Sequence, residues 1–165
     1  MDVAKLACCD TMTTMIDRLL KSLEGFPKHA FEFSVPKDKV MNSNDMGYAR
    51  TWRQQCYINH QRTEKRKWLV ELGKQASAKY NGYPIRHAFV VFHVANLTEQ
   101  RFDPPNFEPT EKHLMDGLVR NNVLVDDNSD VIVGTLFVPM ESKDRDNYMM
   151  QIDVYDLGGS NATND

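Results

Sequence analysis

Residues 100–130 read QRFDPPNFEPTEKHLMDGLVRNNVLVDDNSD. Asp103 follows an apolar run and precedes a proline-containing loop, and Asp126 and Asp127 follow a short amphipathic segment and precede a second apolar run. An order of strand, acid, helix, acids and strand is expected to bring distant carboxylates to one end of a small sheet. Such oxygen ligands suit a hard cation. The stretch is therefore the predicted active site.

The elements around this stretch predict an α+β fold, with one small mixed β-sheet flanked by helices. Alternating or continuous apolar residues predict strands at residues 31–35, 85–97, 131–138 and 148–157. Helical spacing of apolar residues predicts helices at residues 10–24, 51–80 and 109–120. Residues 139–147 read as a hairpin loop that joins the last two strands.

Two of the predicted helices leave questions about what their apolar residues contact. In the first, the stripe serves core packing or a subunit interface, and it consists of Met12, Met15, Ile16, Leu19, Leu20 and Leu23. In the second, a break near His60 is possible because weaker helix formers surround it. The predicted inward positions of this helix are Trp52, Tyr57, Ile58, Trp68, Leu69, Leu72 and Ala76.

Length and composition predict one domain. The chain has 165 residues, of which 41% are hydrophobic, which is enough for a core of its own. We divide it into an N-terminal amphipathic helix (residues 1–27), a main domain (28–157) and a polar tail (158–165) that is predicted to be disordered.

The distribution of charge is more informative than its total. The formal net charge of −3 argues against a protein that simply coats nucleic acid. However, residues 50–86 carry nine Lys or Arg and two Glu, a net charge of +7, whereas residues 99–165 carry fourteen acids and five bases, a net charge of −9. A basic face beside an acidic site suits an anionic polymer. A solvated charged helix explains the same charges equally well.

The cysteines and the hydropathy pattern predict a protein of a reducing compartment. The three cysteines, Cys8, Cys9 and Cys56, form no disulfide or zinc pattern. No apolar run approaches the roughly 20 residues needed to span a bilayer, and the first residues do not resemble a signal peptide. We therefore expect a cytoplasmic protein that has no membrane partner.

The residue types of the central stretch suit Mg²⁺ or Mn²⁺ held by Asp103, Asp126 and Asp127. Pro104 and Pro105 stiffen the loop after the first acid. Lys112 could stabilise negative charge that develops on a phosphate, although a simple ion pair with Asp116 one turn away explains it as well. Surface turns are also rich in Asp, so these residues alone leave a metal site open.

The order of these residues resembles the RusA family of Holliday junction resolvases, particularly its phage and prophage branch. That family carries D-x-D-N, then a helix with a Lys and a D-x-L, then an apolar step into D-D. The matching positions here are, in order, Asp103, Asn106, Lys112, Asp116, Leu118, Asp126 and Asp127. The resemblance extends from residue 31 to about residue 157.

The resemblance implies a homodimeric, Mg²⁺-dependent endonuclease, with Mn²⁺ as a substitute, that nicks two opposing strands of a four-way DNA junction symmetrically. It implies Asp103, Lys112 and Asp127 as catalytic residues, with Asp126 as a further metal ligand. Pro105 stands where the family motif has its second Asp. Either Glu108, three residues on, replaces it, or Asn106 and Asp126 complete the metal site.

The DNA contacts are expected from the basic helix and from polar loops. The candidates are Arg62, Lys65, Arg66, Lys67, Asn42, Asn44 and Asn106. Two alternatives stay open. One is a branched-DNA-binding protein that cuts weakly or not at all, and the other is a protein-interaction module that uses the Met-rich first helix.

Overall fold

A computed structural model describes residues 15–43, 49–95, 97 and 103–158. Its four strands are β1 (Lys28–Pro36), β2 (Ala88–Ala95), β3 (Ile132–Met140) and β4 (Asn147–Asp156). They form one sheet in the order β1-β4-β2-β3. Strand β4 runs antiparallel to β1 and β2, whereas β2 and β3 are parallel. The predicted α+β class and mixed sheet are confirmed.

The helices follow the predicted pattern. Residues 15–23 form α1, whose predicted start at residue 10 lies outside the described residues. The long helix is α2 (Trp52–Ala76), and a 3₁₀ turn (Pro104–Phe107) leads into α3 (Glu108–Arg120). Asn122 ends α3 with a φ of 58°, a left-handed conformation that asparagine tolerates better than most residues.

Helix α2 is continuous, so the possible break near His60 does not occur. Thr51 and Gln54 form a reciprocal capping box at its start. One turn later, the Gln55 side chain donates a 2.9 Å hydrogen bond to Asn59. Side-chain pairs at this spacing stabilise helices and offset the weaker intrinsic propensities of these residues.

The predicted hairpin between the last two strands is wrong. Strand β4 lies between β1 and β2, and β3 pairs only with β2 at the edge of the sheet. The reason is burial: Ile152, Asp153, Val154 and Tyr155 are all buried, so both faces of β4 are covered. Such a strand is most stable in the middle of a sheet.

The sheet is covered on both faces. Helices α2 and α3 pack on one face against a core that includes Phe33, Phe92 and Ile152. On the other face, Leu20 and Leu23 of α1 pack near Val91 and Tyr155. Core packing is thus confirmed for the C-terminal part of the α1 stripe. Met15 and Leu19 are exposed, and Met12 lies outside the described residues.

The inward face of α2 was predicted correctly only for its C-terminal half. Leu69 is buried, and Trp68, Leu72 and Ala76 pack against the core. Trp52 and Tyr57 are instead 79% and 63% exposed, so their prediction as inward residues is wrong. Helical periodicity cannot tell where a helix extends past the sheet that would cover it.

Two glycines set the distance between α2 and α3. A Cβ atom on Gly73 would lie 2.3 Å from the Leu114 carbonyl oxygen, and one on Gly117 would lie 2.4 Å from the Val70 carbonyl oxygen. Both obstacles are backbone atoms, which cannot move without separating the helices. Close contact of α2 and α3 therefore requires glycine at both positions.

We expect Gly117→Ala to destabilise the protein by about 1–3 kcal/mol, although alanine is the better helix former, because the helices must move apart. Urea denaturation monitored by circular dichroism measures the change. Gly25→Ala is the matched control, since nothing lies within 4 Å of a Cβ atom there. Equal stability of Gly117→Ala and wild type would contradict the close helix packing.

Candidate functional site

The strongest polar contact in the predicted active-site stretch joins Lys112 and Asp127. The Lys112 Nζ atom donates a 3.0 Å hydrogen bond to Asp127 Oδ2. This bond lowers the pKa of Asp127 and raises the pKa of Lys112. The simpler pairing of Lys112 with Asp116 does not occur: the Asp116 carboxylate instead lies 3.2 Å from His113 and 3.8 Å from Arg66.

The segment before β3 is anchored at its start by backbone hydrogen bonds. The Ile85 amide donates to the Val123 carbonyl at 2.9 Å, and the Val125 amide donates back to the Ile85 carbonyl at 3.0 Å. Val123 and Leu124 are buried beside them. These contacts of residues 123–125 thus fix the position of the acidic pair, which follows directly in the chain.

Asp126 stabilises the turn that presents Asp127. Its carboxylate accepts hydrogen bonds from the Asp127 amide at 2.7 Å and from the Asn128 side chain at 2.8 Å. Asn128 in turn accepts from the Asp130 amide at 2.9 Å. Adjacent acids in the sequence therefore have different surroundings, with Asp126 in a local turn and Asp127 against α3.

A cavity of about 330 Å³ lies where α3 faces this turn, and we call it the Lys112 cavity. It is lined by Glu108, Glu111, Lys112, Met115, Asp127, Asn128, Ser129, Ile132, Gly134 and Thr135. Three carboxyl groups and one ammonium group thus share one concave surface, an excess of negative charge when all are ionised.

Glu111 belongs to this cavity, although the sequence did not predict it as a site residue. It is only 8% exposed, and its side chain makes no hydrogen bond or ion pair with the described residues. Burial, followed by repulsion from Glu108, raises the pKa of Glu111 to about 7. Helical periodicity could have revealed it, because Glu111 lies four and seven residues before the buried Met115 and Leu118.

The acids of the predicted motif do not all lie together in the structure. Asp103 is exposed at the start of the 3₁₀ turn and does not line the Lys112 cavity, and Asp126 does not line it either. Within the described ranges, no three or more His, Cys, Asp or Glu side chains form a group that could hold a metal ion. Glu108, the alternative to the missing motif acid, does line the cavity. The metal ligands stay a prediction.

The predicted DNA-contacting residues lie mainly along α2. Lys65 donates a 2.9 Å hydrogen bond to the Val40 carbonyl oxygen, and Lys67 pairs with Glu64 at 3.0 Å. Asn42, Arg62 and Lys65 line a cavity of about 200 Å³ near Pro109. The Arg66 guanidinium group forms a long ion pair with Asp116, at 3.8 Å. Asn106 is half-buried in the 3₁₀ turn, and Asn44 lies outside the described residues.

His93 contacts a buried acid within the sheet. Its Nε2 atom lies 3.2 Å from Asp153 Oδ2, and Lys28 lies 3.4 Å from the same oxygen. Burial would raise the pKa of Asp153, but hydrogen bonds from His93 and Gln151, with the charge of Lys28, lower it on balance.

The chain matches no protein-family model, and no curated protein matches it. The RusA resemblance therefore rests on the residues of the motif alone. Among the described residues, no helix combines the length and the apolar character that a membrane span requires.

We expect the free energy of unfolding to fall by about 3 kcal/mol as the pH rises from about 4.5 to about 7 in metal-free buffer with EDTA. The folded state binds the Glu111 proton more tightly than the unfolded state does, because the pKa rises from 4.5 to about 7 on folding. Stability is therefore highest below the unfolded pKa and decreases until the carboxyl group ionises.

Glu111→Gln should remove this decrease, which denaturant titrations at several pH values can measure. Glu141→Gln, which changes an exposed acid outside the Lys112 cavity, is the matched control. Identical pH dependence in wild type and Glu111→Gln would show that Glu111 is not the group that titrates.

Proposed function

We propose that this protein is a metal-dependent endonuclease that resolves Holliday junctions or other branched DNA by paired, symmetric nicks. The observation that carries the proposal is the Lys112 cavity, where the Lys112–Asp127 pair lies beside a buried carboxyl group, Glu111, that has no ion-pair partner among the described residues. The substrate class, branched DNA, is taken from the resemblance of the motif to the RusA family.

The donor chemistry of the Lys112 cavity fits Mg²⁺ or Mn²⁺ in part. Carboxylate oxygens are the ligands that these ions prefer, and Mg²⁺ keeps several waters and needs only one or two protein carboxylates. Asp127 and Glu111 would hold the ion, with Glu108 at the edge of the cavity. When bound, the ion supplies polarisation of a phosphodiester and activation of water.

Glu111 and Glu108 also offer a replacement for the acid that Pro105 removes from the motif. Both belong to the first turn of α3 and line the cavity that contains Asp127. A largely buried carboxyl group such as that of Glu111 gains from a nearby cation, because its charge is poorly solvated. The loss of one motif acid is therefore compatible with an active site.

Lys112 acts as an electrostatic group in the proposed reaction. Its side chain is 61% exposed although it contacts Asp127, so its ammonium group could reach a phosphate that enters the cavity. There it would stabilise the negative charge that develops on the phosphate oxygens as the bond to the leaving oxygen breaks. Asp127 holds the Lys112 side chain in position for this role.

The basic surface of α2 would bind the DNA. Arg62, Lys65, Arg66 and Lys67 belong to a part of the chain with a net charge of +7, which attracts phosphates. Two opposing nicks need two sites, so the active form would be a homodimer. The proposed location is the cytoplasm of a bacterial or phage-infected cell, in recombination, repair or processing of branched phage DNA.

We expect Asp127→Asn and Lys112→Ala each to slow cleavage of a labelled synthetic four-way junction by about 100-fold or more, since each removes charge from the cavity. Gel analysis of the nicked strands in Mg²⁺ and in Mn²⁺ measures the rate. Binding of the intact junction should change little, because α2 supplies most of the phosphate contacts.

Asp130→Asn is the matched acid-to-amide control on the same turn, and Asp126→Asn tests the acid that supports the turn. Both residues lie outside the Lys112 cavity, so we expect smaller losses from them than from Asp127→Asn. An equal loss for Asp126→Asn and Asp127→Asn would mean that the motif pair acts as a unit.

The second candidate is a branched-DNA-binding protein with weak or lost cleavage, which Pro105 and the position of Asp103 outside the Lys112 cavity favour. Binding of the junction by wild type with no nicks in either metal would support it over the nuclease. Absence of binding in moderate salt would instead favour the protein-interaction module, for which the exposed Met15 and Leu19 of α1 are the contact residues.

A further inference from the structure

The N-terminal half of α2 extends away from the core. Its buried residues, Leu69, Val70 and Gly73, all belong to the C-terminal half. Residues 50–61 are exposed apart from the half-buried Ile58. At 1.5 Å per residue, this exposed part measures roughly 15–20 Å along the helix axis. We call residues 49–63 the α2 arm.

The α2 arm presents two large aromatic side chains to solvent. Trp52 is 79% exposed and Tyr57 is 63% exposed. The capping box of Thr51 and Gln54 stabilises the start of the helix, and the Gln55–Asn59 pair spans the next turn. The Tyr57 hydroxyl group accepts a hydrogen bond from the Gln61 side chain one turn later, while most of the Tyr57 side chain stays exposed. Large aromatic side chains with this much exposure are typical of binding surfaces.

The charge of the α2 arm selects an anionic partner. Its ionisable side chains include Arg50, Arg53 and Arg62, and residues 49–63 contain no Asp or Glu. Arg50, Arg53 and Tyr57 line one concavity of about 660 Å³. Arg53 and Tyr57 are four residues apart, so their side chains lie on the same face of the helix.

We propose that the α2 arm binds unpaired nucleotides of a nucleic-acid strand, with a base stacked on Tyr57 and the adjoining phosphates contacted by Arg50 and Arg53. A flat ring beside guanidinium groups matches a nucleotide, which offers an aromatic face and a negative charge together. An acidic peptide would match the arginines but not the ring. Trp52 lies about 140° around the helix from Tyr57 and offers a second stacking surface.

The inference extends the proposed function, because strands unpair where DNA branches, but it does not depend on cleavage. The α2 arm and the Lys112 cavity share no lining residue. Binding measured in EDTA therefore tests the arm without the metal site, and junction cleavage tests the metal site separately.

The experiment measures fluorescence anisotropy of a labelled single-stranded oligonucleotide and of the matched duplex, in EDTA and at several salt concentrations. We expect wild type to prefer the single strand. Tyr57→Ala should weaken single-strand binding by about 5- to 100-fold, the range for loss of one stacked base, and Tyr57→Phe should restore it. Arg53→Ala should reduce the dependence of affinity on salt.

Tyr83→Ala is the matched control, because this tyrosine is 93% exposed but lies outside the α2 arm. Circular dichroism of each variant checks that α2 stays folded. Unchanged single-strand affinity in the folded Tyr57→Ala variant would overturn the proposal. So would a wild-type dimer that Tyr57→Ala converts to monomer with no effect on binding, since a second copy would then cover the arm.

Discussion

Close packing of α2 on α3 is the constraint on which both candidate surfaces depend. Gly73 and Gly117 let the two helices approach until backbone meets backbone, and no other residue leaves room for this contact. Helix α3 carries Glu111 and Lys112 toward the turn before β3, and α2 carries the basic residues alongside. The same contact fixes the C-terminal half of α2 and leaves its N-terminal half in solvent.

The chemistry of the candidate site depends on which of its charged groups have an ion-pair partner and which do not. Lys112 is bound to Asp127, so the only positive side chain that lines the Lys112 cavity in the described part of the chain is already engaged. Glu111 is buried beside this pair and keeps its proton up to about pH 7, the pKa that burial gives it. Ionisation of Glu111 would leave its carboxylate without an ion-pair partner among the described residues of the cavity, a charge that a bound cation would balance.

Much of the architecture could be predicted because it depends on local patterns. The ends of α3 and the buried Leu114, Met115 and Leu118 follow from spacing and from residue type. The hairpin prediction failed because the partners of β4 depend on which strands cover it, and that is a long-range choice. Trp52 and Tyr57 were misplaced because periodicity reports the face of a helix but not the extent of the core.

By itself, the sequence determined the α+β class and most of the elements, since apolar period and residue type act locally. Only the tertiary structure decided that Asp127 lines the Lys112 cavity while Asp126 and Asp103 do not, and that Glu111 joins it. The physical reason is that burial and ion pairing depend on which elements meet, and residues close in sequence, such as Asp126 and Asp127, meet different neighbours.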